Sequence, residues 1–207
     1  MYAFNLQSNY SIENMLLRSD FLTICHKTPQ VIIMNNDKIK LLPLLIKTSI
    51  VHTVTYFIAG LLAMTLLNYG ESMGTGDSIF RPISDPLVMA GPLFQPIRGV
   101  IFALAFYPIR HPLFGSKFGW LTLWWILVAV GVLSTFGPAP GSIEAMIYTY
   151  QDVSVFTYIE VVSQAFAFSC ILYYWINNPN LRWLNWVMGL AFAIVMLLPT
   201  LGLLVGQ

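Results

Sequence analysis

The chain has 207 residues, 57% of them hydrophobic and only 9% charged, with a formal net charge of +1. Soluble domains carry roughly 25% charged residues, so this chain could not cover a water-facing surface of ordinary size. The near-neutral balance also lacks the electrostatic footprint of a nucleic-acid binder, and the partner the composition demands is a lipid bilayer.

Residues 1–33 are polar and weakly patterned, and residues 1–20 lack the basic start and early apolar core of a secretory signal. The first span is therefore expected to be an uncleaved anchor. From Met34 the text MNNDKIKLLPLLIKTS is a short basic leader running into an apolar segment. Met34 reads as a translation start and 1–33 as an extension. The competing reading makes 1–40 a cytoplasmic arm with a short helix near Ser11–Asp20.

A helix needs about 20 mostly apolar residues to cross a ~30 Å hydrocarbon core, and five segments qualify: Leu41–Asn68, Pro86–Ile109, Gly119–Phe136, Val153–Ile176 and Trp183–Val205. Helices satisfy their own backbone groups in lipid. The runs are too long and too uniform for barrel strands. The expected fold is an all-α bundle of five transmembrane helices spanning 41–207 as a single domain.

Cytoplasmic loops carry the excess of Lys and Arg. Arg18, Lys27, Lys38, Lys40, Lys47, Arg110, Lys117 and Arg182 fall on one side, and Arg81 alone falls on the other. This predicts a cytoplasmic N-terminus and an external C-terminus. Trp120, Trp175, Trp183 and Trp186 would mark the inner interface. The loop Tyr69–Asp85 is glycine-rich and reads as irregular. In the loop 137–152, Gly-Pro-Ala-Pro-Gly stops the third span. Ser142 is placed to cap a short helix there, and Asp152 or Ser154 to cap the fourth span. Gly60, Ala63, Gly91, Gly99, Gly189 and Ala193 are the expected small-residue contacts between helices. Cys25 and Cys170 fall in different compartments, so no disulfide is expected.

Arg98 is the charge that does not fit. It stands about 12 residues from either end of the second span, ~18 Å from each boundary at 1.5 Å per residue. A charge at the bilayer centre costs from ~2.5 to more than 10 kcal/mol, so a partner is expected. Gln95 shares its helix face. Glu160, ~11 Å deep by the same rise, is the natural counter-ion, with Gln164 one turn below it. His52 lies near mid-membrane in the first span. The expected site is a cluster of Gln95, Arg98, Glu160, Gln164 and His52. It reads either as a ligand pocket or relay, or as a structural ion pair ordering the bundle. Glu144, Asp85 and Arg81 are candidates for a lid from the external loops. Glu144 has a local alternative at a helix start, where a carboxylate gains from the dipole. Arg81 has one as a surface partner of Asp85, which would be worth little.

No Ser-His-Asp set, HExxH motif or phosphate-cradling loop occurs, and no cofactor or metal site is expected. Asp85–Arg98 (DPLVMAGPLFQPIR), Tyr107–Trp120 (YPIRHPLFGSKFGW) and Leu133–Tyr148 (LSTFGPAPGSIEAMIY) together resemble a group of bacterial multi-pass inner-membrane proteins with no known activity. The resemblance covers about residues 38–207, implies the bacterial inner membrane, and supplies no functional residues.

Three functional expectations follow. The first is a non-enzymatic membrane protein that binds or passes a polar or anionic small ligand through the Arg98 cluster. The second is an accessory or assembly subunit of a membrane complex, with a homodimer or a fixed partner protein. The third is a lipid-modifying enzyme using Arg98 on a phosphate and Glu144 or Glu160 as base.

Overall fold

The computed structural model describes residues 39–66, 81–82, 84–137, 139–149 and 155–205, all within one unit, Asp37–Gln207. The arm 1–38 with Met34 and Cys25, the loop positions 67–80, and the cap candidates Asp152 and Ser154 lie outside the described residues. Every regular element among the described residues is helical, and none is a strand.

The first helix, α1 (Leu41–Leu66), carries a proline only in its first turn, at Pro43, where no backbone bond is lost. Residues 51–55 are buried in succession, and Thr48 and Ser49 are buried with them. Neighbours therefore cover α1 on all sides at this level, and its apolar residues show no single stripe. The polar side chains in this stretch are partly turned inward on the helix itself. Thr53 donates to the Ser49 carbonyl and Thr55 to the Val51 carbonyl, each at 2.8 Å.

The helices α2 (Pro86–Met89) and α3 (Gly91–Phe106) meet at Ala90. Pro92 enters at the start of α3, and Pro96 interrupts its interior by removing one backbone donor. After a tight turn come α4 (Arg110–Gly115) and α5 (Gly119–Val128). Gly119 is obligatory there: a Cβ would overlap the Leu113 carbonyl oxygen. Tyr173 holds the same turn, its hydroxyl donating to the Ser116 carbonyl at 2.8 Å. The last turn of α5 widens into a π segment, Ala129–Leu133. A short helix, α6 (Ile143–Tyr148), follows, and Ser142 caps it by accepting from the Ala145 N–H at 3.1 Å. The chain ends in α7 (Val155–Asn177) and α8 (Arg182–Val205).

Three of these helices, α1, α7 and α8, are long and apolar enough to cross a membrane by length and composition. The other two apolar segments are shorter, because α3 stops at Phe106 and the α5–π segment stops at Leu133. The core lies where α1, α3, α5 and α7 converge, and includes Leu44, Val51, Ala103, Phe106, Leu123, Phe168 and Leu172.

The closest helix approach is α1 on α3. Gly99 faces Ser49 so closely that a Cβ would overlap the Ser49 Cα and stand 3.0 Å from its nitrogen. The Ser49 hydroxyl donates across the seam to the Pro96 carbonyl at 3.2 Å. The small-residue expectation needs correcting elsewhere. Gly60, Gly91 and Gly189 have open space where a side chain would go, and Ala193 is exposed. Only Gly99 and the buried Ala63 act at contacts. Trp175, expected at an interface, is 4% exposed. Its Nε1 donates to Asn185 Oδ1 at 2.6 Å, and its backbone carbonyl accepts from Lys47 Nζ at 2.8 Å.

Candidate functional site

The seam between α1 and α3 brings His52 to Gln95. His52 Nε2 and Gln95 Oε1 are 3.2 Å apart, and both side chains are buried. The Gln95 amide nitrogen donates to the Gly91 carbonyl at 3.3 Å, one turn earlier on its own helix. That second bond fixes the amide orientation, because a flip would set two oxygens against each other.

Aromatic rings box in the imidazole. Phe102 and Phe168 meet it edge-on at centroid distances of 5.0 and 5.9 Å, and Tyr56 leans against it at 6.1 Å. Phe102 and Phe168 in turn touch each other and Phe106. This aromatic wall is the part of the site that the polar pattern of the sequence left out. Its signal was present in the spacing: Tyr56 lies four residues after His52, and Phe102 four after Arg98, so each pair shares a helix face.

Beside the imidazole lies a cavity of about 110 Å³. His52, Arg98 and Gln164 are its polar lining; Phe102, Phe168, Leu127 and Val161 are among its apolar lining. Gly131 and Val132 of the π segment complete one wall. Single π turns inside α-helices are found frequently at functional sites. Trp124 ties that wall to α7, its Nε1 donating to the Val162 carbonyl at 3.1 Å.

Arg98 is exposed on the flank of the bundle while lining the cavity. Its guanidinium carbon sits 5.8 Å from the Tyr56 ring centroid, within cation–π range. Its expected counter-ion does not reach it. Among the described residues the one ion pair within 4.0 Å is Arg81–Asp85 at 2.9 Å. Glu160 is partly buried on α7, one turn from Gln164, and is not among the cavity-lining residues. The sequence-picked residues thus divide: His52, Gln95, Arg98 and Gln164 assemble around one space, and Glu160 stands apart from it.

The lid candidates have local roles. Asp85 caps α2, accepting from the Leu87 N–H at 2.8 Å, and also holds Arg81. The Arg81 hydrogen bond, then the Leu87 N–H, holds the Asp85 carboxyl below the usual carboxylate range. Glu144 is exposed in the first turn of α6, where the helix dipole favours a carboxylate.

No group of three or more His, Cys, Asp or Glu side chains that could hold a metal ion occurs among the described residues. Comparisons with protein-family models, with curated proteins and with solved structures found no match.

Proposed function

We propose that this chain is a five-span bacterial inner-membrane protein, N-terminus cytoplasmic and C-terminus external, that binds or passes a small anionic or polar ligand at Arg98. The observation that carries the reading is an arginine that lines a cavity with no counter-ion among the described residues. An uncompensated guanidinium at membrane depth is expensive, and an anion in the cavity would offset that cost. The pocket, open on one side, has about 110 Å³ of room beside Arg98, enough for a small anion.

The five-span count rests on α2 and α3 acting as one interrupted crossing and the α5–π segment as another. The orientation rests on the distribution of basic residues. Single cysteines at the exposed positions Lys117 and Glu144 test it with a membrane-impermeant reagent. Glu144→Cys reacts from outside intact cells and Lys117→Cys does not; the reverse labelling overturns the orientation.

The functional test is a thermal-shift panel of anions on the purified protein, wild type beside Arg98→Ala. The expected result is a stabilising anion whose effect is lost in the variant. A variant that melts earlier while no anion shifts the wild type would remove the ligand reading. One observation favours a second reading: Arg98 is exposed at the bundle flank, where a carboxylate of a partner subunit could meet it. An accessory subunit of this kind co-purifies with a fixed partner that Arg98→Ala releases.

A further inference from the structure

The same cavity carries information about which anion it takes. Gln95 Oε1 can only accept, and the Gly91 carbonyl holds the amide so that this oxygen faces His52. The hydrogen on that bond must therefore sit on His52 Nε2. In a neutral imidazole the other nitrogen is then a bare acceptor. Nδ1 has no hydrogen-bond partner among the described residues, and His52 lines the cavity.

The cavity thus presents three polar groups of different kinds. Arg98 supplies positive charge and donors only. Gln164 supplies an amide that can donate or accept and that no group among the described residues engages. His52 supplies a lone pair. A simple aprotic anion satisfies Arg98 and Gln164 but presents only oxygens to His52, leaving two acceptors opposed. A guest that satisfies all three has a negative oxygen for the guanidinium and an O–H for the imidazole.

Resting on the anion-binding reading above, we propose that the ligand is a small oxyanion carrying its own proton, of the bicarbonate or dihydrogen-phosphate type. His52 Nδ1 accepts its hydrogen bond, and Arg98 meets its charge. Gln95 is a positioning residue: it touches no ligand and sets the tautomer that makes His52 an acceptor.

Bicarbonate and nitrate are the deciding pair. They share a planar trigonal skeleton and a single negative charge, and only bicarbonate has an O–H. Titration calorimetry of the wild-type protein in nanodiscs, at matched ionic strength, is expected to give bicarbonate about tenfold tighter binding than nitrate or better, the worth of one hydrogen bond to a charged partner. In the double variant His52→Phe/Gln95→Leu, which keeps an aromatic ring and orphans no buried polar atom, bicarbonate falls to the nitrate level and nitrate is unchanged. Arg98→Ala loses both anions.

If wild type binds nitrate as tightly as bicarbonate, the cavity reads charge alone; the proton-bearing ligand is then wrong, and the anion site itself stands. If wild type binds neither, the anion site fails as well. A double variant that does not fold leaves a direct readout in the wild type. Nitrogen NMR of labelled histidine should show His52 protonated at Nε2 and bare at Nδ1, with bicarbonate and not nitrate moving the Nδ1 signal. A proton found on Nδ1 in the free protein overturns the inference.

Discussion

Two cations on neighbouring helices have opposite surroundings. Lys47 on α1 is partly buried, gives a hydrogen bond to the Trp175 carbonyl and lies 5.3 Å from the indole centroid. Trp175 passes the connection on to Asn185, so three helices close around a cation whose needs are met inside the protein. Arg98 on α3 has the Tyr56 ring beside it and no hydrogen bond or ion pair among the described residues. Both are expensive in an apolar setting. The difference sorts the two: Lys47 is satisfied and ties helices together, whereas Arg98 lines a cavity with no such partner among the described residues.

The largest expected effect breaks both regions at once. Gly99→Val drives α1 from α3, because the new side chain would overlap the Ser49 backbone. Overpacking of this kind costs about 3 kcal/mol or more where neither backbone can yield. Fluorescence-detected size-exclusion after graded heating would read it as loss of the folded peak; a Tm equal to wild type would contradict the close contact.

A smaller effect separates the two regions. Trp175→Phe keeps a ring and the carbonyl that holds Lys47 but removes the bond to Asn185. Asn185 is exposed, so losing this bond is expected to cost only the net worth of a hydrogen bond, about 0.5–1.5 kcal/mol, seen as a lower Tm with the anion-dependent shift intact. A Trp175 variant that lost the anion shift while keeping its Tm would erase the distinction between the two cations.

The smallest effect concerns the exposed pair at the start of α2. The folded-state pKa of Asp85 lies below its unfolded value. Its stabilisation is therefore present above the ordinary carboxylate range and is lost as pH falls through the lowered folded value. The Tm difference between wild type and Asp85→Asn should be small at neutral pH and vanish on acidification. A difference that grows on acidification would reverse the sign.

The helical class, the starts of α1 and α8 to within a residue and the cap at Ser142 could be read from the chain, because apolar run length and hydroxyl placement are local signals. The polar residues at the cavity could be named as well, since a charged or amide side chain in an apolar run is conspicuous. Other features depended on three-dimensional packing. The aromatic wall of Tyr56, Phe102 and Phe168 is built from residues ordinary in any apolar segment, and only the meeting of α1, α3 and α7 makes them one surface. The separation of Arg98 from Glu160 depends on helix rotation, and matching depths along two spans do not fix rotation. The π segment follows an unremarkable run, AVGVL, with no proline to announce it.

Gly99 has a consequence beyond stability. Where two helices touch backbone to backbone, the spacing between them is gauged by main-chain atoms that no ordinary substitution alters. Gln95 and Arg98 hang from one side of that gauge and His52 from the other. Side chains around the cavity are thus free to change identity while the frame keeps its dimensions. Descendants of this chain can reshape the lining of the cavity, residue by residue, without first having to reinvent the scaffold.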